Sequence, residues 1–374
     1  FAQATFTSAA AGPNNWNTAA TWVETGTNDV DNIPDADDIV IIANGHTVNI
    51  NVAAAAASLT LNGTGGIRHT ANVTLAVGGN LTMNGTSQIV PSAASATRVV
   101  TVGGTFSVSI GANVIIGGVR IDVNGVGPHT IDGTIQFNNN TGVKTFNAVS
   151  VSGTGSWTST TITTAANLIF RNGVSNSGTF SANTATFNTT AASTLGGAAA
   201  MSFTGDVTVA AGVTLTNNNS STVTLASITL TGNFTQGIST PNPTLSLTAA
   251  APFSGAGTLN ANSNPNTVNY SGAGQTIRDV GYNNLSTSGS GTKAWTLAAI
   301  RTVGGNLTVG NGTTLTVGGG FAFTVSGTAT IGGGASGVFN ITNGTGLKTF
   351  TGLVTVNAGA TWNHSTANPA TSFG

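Results

Sequence analysis

Two groups of residues in this sequence have the types and spacing for chemistry. The first is an acidic run. Asp29, Asp31, Asp35, Asp37 and Asp38 follow Glu24, with no basic residue between 24 and 38. Carboxylates this close would supply oxygen ligands to a calcium ion, although their spacing matches neither an EF-hand nor a nonapeptide repeat. Two other readings compete. One is a solvated loop in which Asp38 caps a turn. The other is an acidic patch that docks on the basic end of a neighbouring subunit. The second group is Arg120, Asp122, His129 and Asp132, the mid-chain cluster with catalytic side-chain types. On a strand Arg120 and Asp122 share a face, and a carboxylate pair would serve glycoside cleavage. The plainer reading is an Arg–Asp surface pair beside a turn.

The remaining polar and aromatic side chains point to structure. Lys144, Lys293 and Lys348 recur in Gly-x-Lys-[Thr/Ala]-[Phe/Trp]. That recurrence predicts a structural role, with Lys on the outer face and the aromatic inward or on a rim. Trp157, Trp295 and Trp362 would either pack or stack on a sugar ring. His46, His69, His129 and His364 are scattered, which argues against a zinc site. There is no Cys, so neither disulfides nor thiolate chemistry is available and stability must come from packing and hydrogen bonding. The many Asn-x-Ser/Thr triplets carry little weight in a sequence so rich in Asn and Thr.

Composition narrows the class further. Of 374 residues 52 are Gly, 39% are hydrophobic and 5% are charged. Disorder is ordinarily charged and poor in β-branched residues, so this balance fits many short, tightly turned strands. The net charge of −1 gives no sign of a nucleic-acid partner. Six of the ten acids lie within 24–38, which leaves residues 39–374 with four acids against nine Lys and Arg. One end is therefore acidic and the body mildly basic. No apolar run is long enough for a transmembrane helix. Phe1-Ala2-Gln3-Ala4 reads as the tail of a signal peptide with a small-x-small cleavage site, which predicts export.

The elements that must position these residues are legible in one recurring stretch. In Thr302-Val303-Gly304-Gly305-Asn306-Leu307-Thr308-Val309, apolar and small polar residues alternate and a Gly pair breaks the run. Period two reads as strand, and the Gly and Asn-Gly breaks read as turns. Related units recur around Gly79, Gly104, Gly205 and Gly232, and a second Gly follows seven residues later at Gly111, Gly212 and Gly312. Residues 101–160 and 302–365 look like duplicated blocks: Thr141–Phe146 returns as Thr345–Phe350, 204 positions on. Ala53–Ala57 is the one helix-friendly run, and it is too short. These patterns predict an all-β fold, a single right-handed parallel β-helix (β-solenoid) of about 15–17 coils. Residues 1–58 would form an N-terminal cap or connector and 59–374 the solenoid body. Corners are expected at the Asn-Gly pairs ending in Gly45, Gly63, Gly85, Gly125, Gly173, Gly312 and Gly344.

The N-terminal segment resembles that of G8-type domains and of secreted β-helix proteins common in Bacteroidetes, on the strength of Trp16, Trp22, Pro34, Asp38, Gly45 and Val48. A second stretch carries the same resemblance: Asn266–Gly272, Gln275–Ile277, Tyr282–Leu285 and Ser288–Lys293. The resemblance implies a β-helix on the cell surface, exported by the type IX system with a C-terminal sorting domain. No such domain is seen here, which implies removal on export or a fragment. Polysaccharide lyases and hydrolases on β-helices resemble the Arg120–Asp132 cluster in using acids or a basic residue on the outer strand face.

Three functions follow as expectations. The first is a secreted, non-enzymatic structural protein that self-associates head-to-tail into a filament or adhesive layer. Ala4, Thr5, Phe6 and Thr7 would lie along a neighbour as an added strand, with Trp16, Trp22 and Trp362 in the subunit contact. No cofactor is needed, with calcium on Asp29, Asp31, Asp35, Asp37 and Asp38 the exception to test. The second is a polysaccharide lyase or hydrolase of pectin-lyase-like architecture. The third is an adhesin module for surface glycans, or even for ice. Thr-x-Thr occurs, but without one strict period.

Overall fold

Alternation sets the fold. In Thr47–Ile50, Ser58–Leu61 and Val99–Val102 every second side chain is buried. Period-two strands bury one face and leave the other to solvent. The computed structural model describes residues 3–12, 14–26, 29–189, 192–238, 241–334, 336–364 and 370–374. The chain is all-β, a parallel β-solenoid of about 15 turns. Its helical elements among the described residues are two single 3₁₀ turns, Ala19–Thr21 and Ala165–Asn167. Ala54–Ala56, inside the helix-friendly run, is a strand.

The chain divides into two compact units, residues 1–189 and 190–374. In the first, each coil contributes strands to three stacks. One runs Ile39–Ile42, Ser58–Leu61, Leu81–Met83, Phe106–Val108, His129–Ile131 and Val149–Val151. The second runs Thr47–Ile50, Gly66–His69, Gln88–Pro91, Asn113–Ile116, Thr134–Phe137 and Ser156–Ser159. The third runs Ala54–Ala56, Thr74–Val77, Val99–Val102, Arg120–Val123, Lys144–Phe146 and Leu168–Phe170. All these pairings are parallel, so each coil satisfies the backbone groups of the next. Inward residues form apolar columns such as Val40, Leu59, Leu81 and Phe106.

The second unit repeats the scheme. One stack passes through Thr222–Leu230, Thr244–Leu247, Thr267–Tyr270, Asn284–Thr287, Leu307–Val309, Ala329–Ile331 and Val354–Val356. Another holds Gly291–Thr296, Thr313–Gly318, Val338–Ile341 and Thr361–His364. A third holds Arg301–Val303, Phe323–Val325, Lys348–Phe350 and Thr371–Phe373.

The N-terminal segment closes on itself. Ala4–Ser8 pairs antiparallel with Trp22–Gly26 on one edge and parallel with Ile39–Ile42 on the other. Asn14–Asn15 likewise pairs in parallel with Thr47–Ile50, so these two strands stack on the coil that follows them. The Asn-Gly corners are of two kinds. Gly45, Gly63, Gly85, Gly173 and Gly312 have positive φ, as the turns require. Gly125 does not; a Cβ there would lie 1.9 Å from the carbonyl oxygen of Gly104. Close approach of the neighbouring coil, not turn conformation, selects that glycine.

Candidate functional site

The five expected calcium ligands divide. Asp35, Asp37 and Asp38 each bring a carboxylate oxygen within 4.8 Å of the others, whereas Asp29 and Asp31 are not part of that group. The carboxylates are engaged by the loop's own backbone. Asp38, 3% exposed, accepts from Ala4 N at Oδ1 (3.0 Å) and from Asp35 N at Oδ2 (2.9 Å). Asp35 Oδ1 accepts from Asp37 N (3.1 Å), Asp31 Oδ1 from Ile33 N (2.9 Å), and Asp29 Oδ1 from Val30 N (2.5 Å). A hydrogen bond between the Asp35 and Asp37 side chains holds the Asp35 carboxyl below its usual range and pushes that of Asp37 up. Calcium takes about six to eight oxygens; the oxygens here shape turns and tie the loop to the first strand.

The Arg120–Asp132 cluster comes apart. Arg120 and Asp122 do share a side of their strand, with Arg120 Nη2 3.4 Å from Asp122 Oδ2. The second partner is one the sequence did not indicate: Arg171 Nη2 lies 3.3 Å from Asp122 Oδ1. It comes from the coil two turns on, since Ile121 pairs with Lys144 and Lys144 with Leu168. His129 points into the core instead. Phe106 N donates to its Nδ1 (3.2 Å), and burial pushes its pKa down to about 4. An imidazole that accepts at Nδ1 carries its proton on Nε2 and is neutral. Alternation on a strand put Arg120 and Asp122 together. His129 is absent from the group because its own strand, in a different stack, buries its first and third residues.

The recurrent lysines are also inside, a correction to the expected outer face. Lys144, Lys293 and Lys348 are each fully buried. Their ammonium groups meet backbone carbonyls and, among the described residues, no carboxylate. Lys144 Nζ donates to the carbonyls of Asn139 (3.1 Å), Thr141 (2.5 Å) and Gly142 (2.8 Å). Lys293 Nζ donates to those of Gly272 (2.5 Å), Ser290 (3.1 Å) and Ala273. Lys348 Nζ donates to those of Phe321 (2.8 Å), Thr345 (2.9 Å) and Gly346 (2.9 Å). Gly142, Gly291 and Gly346, each two residues before its lysine, have positive φ. Burial lowers the pKa of all three lysines, that of Lys144 to about 8. The aromatics Phe146, Trp295 and Phe350 are buried as expected.

Other cations are spent the same way. Arg98 donates to the carbonyls of His69 (3.0 Å) and Ala93 (2.6 Å), and Arg278 to that of Gly257 (2.5 Å) while lying over the Phe253 ring. Arg301 binds Asp279 through two hydrogen bonds of 2.8 Å. Asp279 also accepts from Trp295 Nε1 (3.2 Å) and Ala298 N (3.0 Å). Burial raises the Asp279 pKa, but the hydrogen bonds from Arg301 and Ala298 outweigh it and the net shift is downward. Of the nine Lys and Arg of residues 39–374, Arg98, Lys144, Lys293 and Lys348 are buried, whereas Arg68 and Arg120 are exposed.

The expected contact residues lie mostly within the fold. Both edges of the strand bearing Ala4, Thr5, Phe6 and Thr7 are paired in the chain, so it is not a strand for donation. Trp16 and Trp22 are buried edge-to-face at 5.1 Å, with Trp22 Nε1 on the Trp16 carbonyl (2.8 Å) and Trp16 Nε1 on that of Pro34 (3.2 Å). Trp362 is half-buried and packs edge-to-face on Phe339 and Phe350, each at 4.8 Å. Trp157 and Trp295 are buried, so neither offers a sugar-stacking face. His69 is buried with neither ring nitrogen bonded among the described residues, and burial pushes its pKa down to about 4. His46 Nδ1 lies 2.8 Å from Ser8 Oγ.

Compared with known proteins, the chain matches no family model, no curated protein and no solved structure.

Proposed function

We propose that this chain is a secreted, non-enzymatic structural protein of the cell surface that associates with further copies of itself. The observation that carries this reading is the use of its charge. Buried lysines on carbonyls, Arg98 and Arg278 on carbonyls, and acids on backbone N–H groups all serve the coils. A residue committed to holding a coil is not free to meet a substrate. Neither of the two routes expected for self-association gains support, because the first strand is paired on both edges and four of the nine Lys and Arg are buried. What supports it is the fold itself, a stack of parallel coils in which the same backbone pairing repeats from one coil to the next.

Light scattering and negative-stain electron microscopy of the purified protein test the proposal. Oligomers or filaments are expected. A monodisperse monomer at high concentration overturns self-association. Depolymerisation of a polysaccharide that disappears in Asp122→Asn overturns the non-enzymatic reading.

A further inference from the structure

One of the nine Lys and Arg side chains holds no coil. Arg98, Arg278 and the three lysines are bound to carbonyls, and Arg120, Arg171 and Arg301 face carboxylates. Arg68 is exposed, and among the described residues its guanidinium has neither a hydrogen bond nor an ion pair. It stands beside a notch in the outer face of the second stack of residues 1–189. On the strand Gly66–His69, Ile67 and His69 are buried, so Gly66 and Arg68 lie on the outward side. Gly66 pairs with Thr47 on one neighbouring strand and with Gln88 on the other. The middle of these three outward positions therefore carries no side chain.

The backbone does not demand a glycine there, because Gly66 is not among the residues of positive φ. What the glycine does is leave room: a Cβ would lie 3.1 Å from Gln88 Cγ. The resulting cavity of about 320 Å³ is lined by Gly12, Thr47, Gly66, Arg68, Gln88 and Val90. That volume lies at the lower end of small-molecule sites, about 300–1,000 Å³. Its polar groups are unpaired. The Thr47 hydroxyl and the Gln88 amide, like the Arg68 guanidinium, have no hydrogen bond among the described residues. Elsewhere on this stack the amides do pair, Gln136 Nε2 with Asn113 Oδ1 (3.1 Å) and Asn49 Nδ2 with Asn15 Oδ1 (3.2 Å). A free cation, a free amide and a free hydroxyl thus converge on one recess.

We infer that this notch binds a small carboxylate that also bears hydroxyls, as a sugar acid does. The planar fork of a guanidinium matches a carboxylate through two parallel hydrogen bonds. Arg68 is the one charged residue of the lining, so it balances a single negative charge. A carboxylate carries one, whereas a phosphate monoester carries about 1.5 to 2 at neutral pH. The other polar partners are neutral, and both an amide and a hydroxyl donate and accept, which suits the hydroxyls of the ligand. Val90, half-buried, adds a short apolar wall. A neutral sugar fits less well, because it leaves the guanidinium without its anion. An aromatic ligand fits less well too, because no ring lines the notch. The inference is independent of the proposed self-association.

The test is isothermal titration of the full chain with glucuronate, glucose and glucose 6-phosphate. Glucuronate should bind, and glucose at least about tenfold more weakly. Arg68→Ala should weaken glucuronate binding by about ten- to a hundredfold. Arg68→Lys keeps the charge without the fork and should fall between. Gly66→Ala fills the notch and should weaken glucuronate binding as well. Arg68 is exposed and without a partner among the described residues, so an unchanged unfolding midpoint certifies the fold of its variants. Arg120→Ala should bind glucuronate as the wild type does. No glucuronate bound at millimolar concentration overturns the inference, as does equal affinity in the wild type and Arg68→Ala. Tighter binding of glucose 6-phosphate overturns the carboxylate in favour of a phosphate. Binding of alginate, a polyuronate, without binding of the free sugar acid overturns a small-molecule site in favour of a polymer surface.

Discussion

Lys144 and Lys348 are held in the same way, 204 positions apart. Each ammonium donates to the carbonyls two and three residues before it: Gly142 and Thr141 for Lys144, Gly346 and Thr345 for Lys348. The glycine at each site has positive φ, and that turn bends the carbonyls back toward the lysine. The repeated Gly-x-Lys is thus a corner clamp, in which a buried cation gathers the carbonyl oxygens of its turn.

Removing the cation leaves those oxygens without a donor. Lys144→Met preserves length and apolarity, so its cost reports the lost hydrogen bonds, about 3 kcal/mol. Denaturant unfolding of the full chain measures it. A change within experimental error would show that the clamp contributes nothing. Gly142→Ala tests the turn itself: a Cβ there would sit 2.5 Å from the carbonyl carbon of Val119, at a φ of +79°. Destabilisation of at least about 1–3 kcal/mol is expected from the backbone conformation alone.

Acid should weaken the protein through its buried histidines. His69 and His129 have folded pKa values of about 4 against 6.5 for the free side chain. Between those limits the unfolded chain binds more protons. Stability is therefore full above pH 6.5 and falls as pH drops toward 4, by about 3 kcal/mol for each histidine. Asp279, whose folded pKa is lowered, acts in a different window: its contribution is lost only as pH falls below the ordinary carboxylate range. Unfolding free energies at pH 7 and pH 4.5 should differ less in His69→Phe than in the wild type. Equal differences in the two proteins would mean that His69 is solvated.

The two Arg–Asp sites should respond differently. Asp122 faces guanidiniums whose side chains are 48% and 37% exposed, so Asp122→Asn should cost at most about 1 kcal/mol. Asp279 is 20% exposed and holds Arg301, Trp295 and Ala298 together. Asp279→Ala strands a guanidinium, an indole N–H and a backbone N–H, at about 3–5 kcal/mol. Thermal and denaturant unfolding of both variants checks the order; a reversed order would contradict this assignment of roles.

Asp38 fastens the first strand to the acidic loop. Both of its carboxylate oxygens accept backbone N–H groups, and an amide supplies one oxygen only. Asp38→Asn should cost about 1–3 kcal/mol and speed amide exchange across Ala4–Ser8. Unchanged exchange in that strand would show that its pairing alone holds it.

The sequence by itself determined the coil. Period-two alternation, Gly-punctuated turns and the returning Thr-Gly-x-Lys-Thr-Phe motif are local signals, and each coil obeys the same local rule. They were sufficient for a parallel β-solenoid, and they placed Phe146 and Phe350 inside correctly. Tertiary structure decided what the coils bring together. Strand alternation alone cannot show that Lys144 points inward, because a cation in a core is tolerable only where carbonyls converge, and those come from the turn and, at Lys348, from another coil. Nor does spacing along the chain show that Arg171 meets Asp122, or that Thr224, Ser246 and Thr308 form one column. Coils of unequal length hide the period in sequence, and hydrogen-bond register restores it in space.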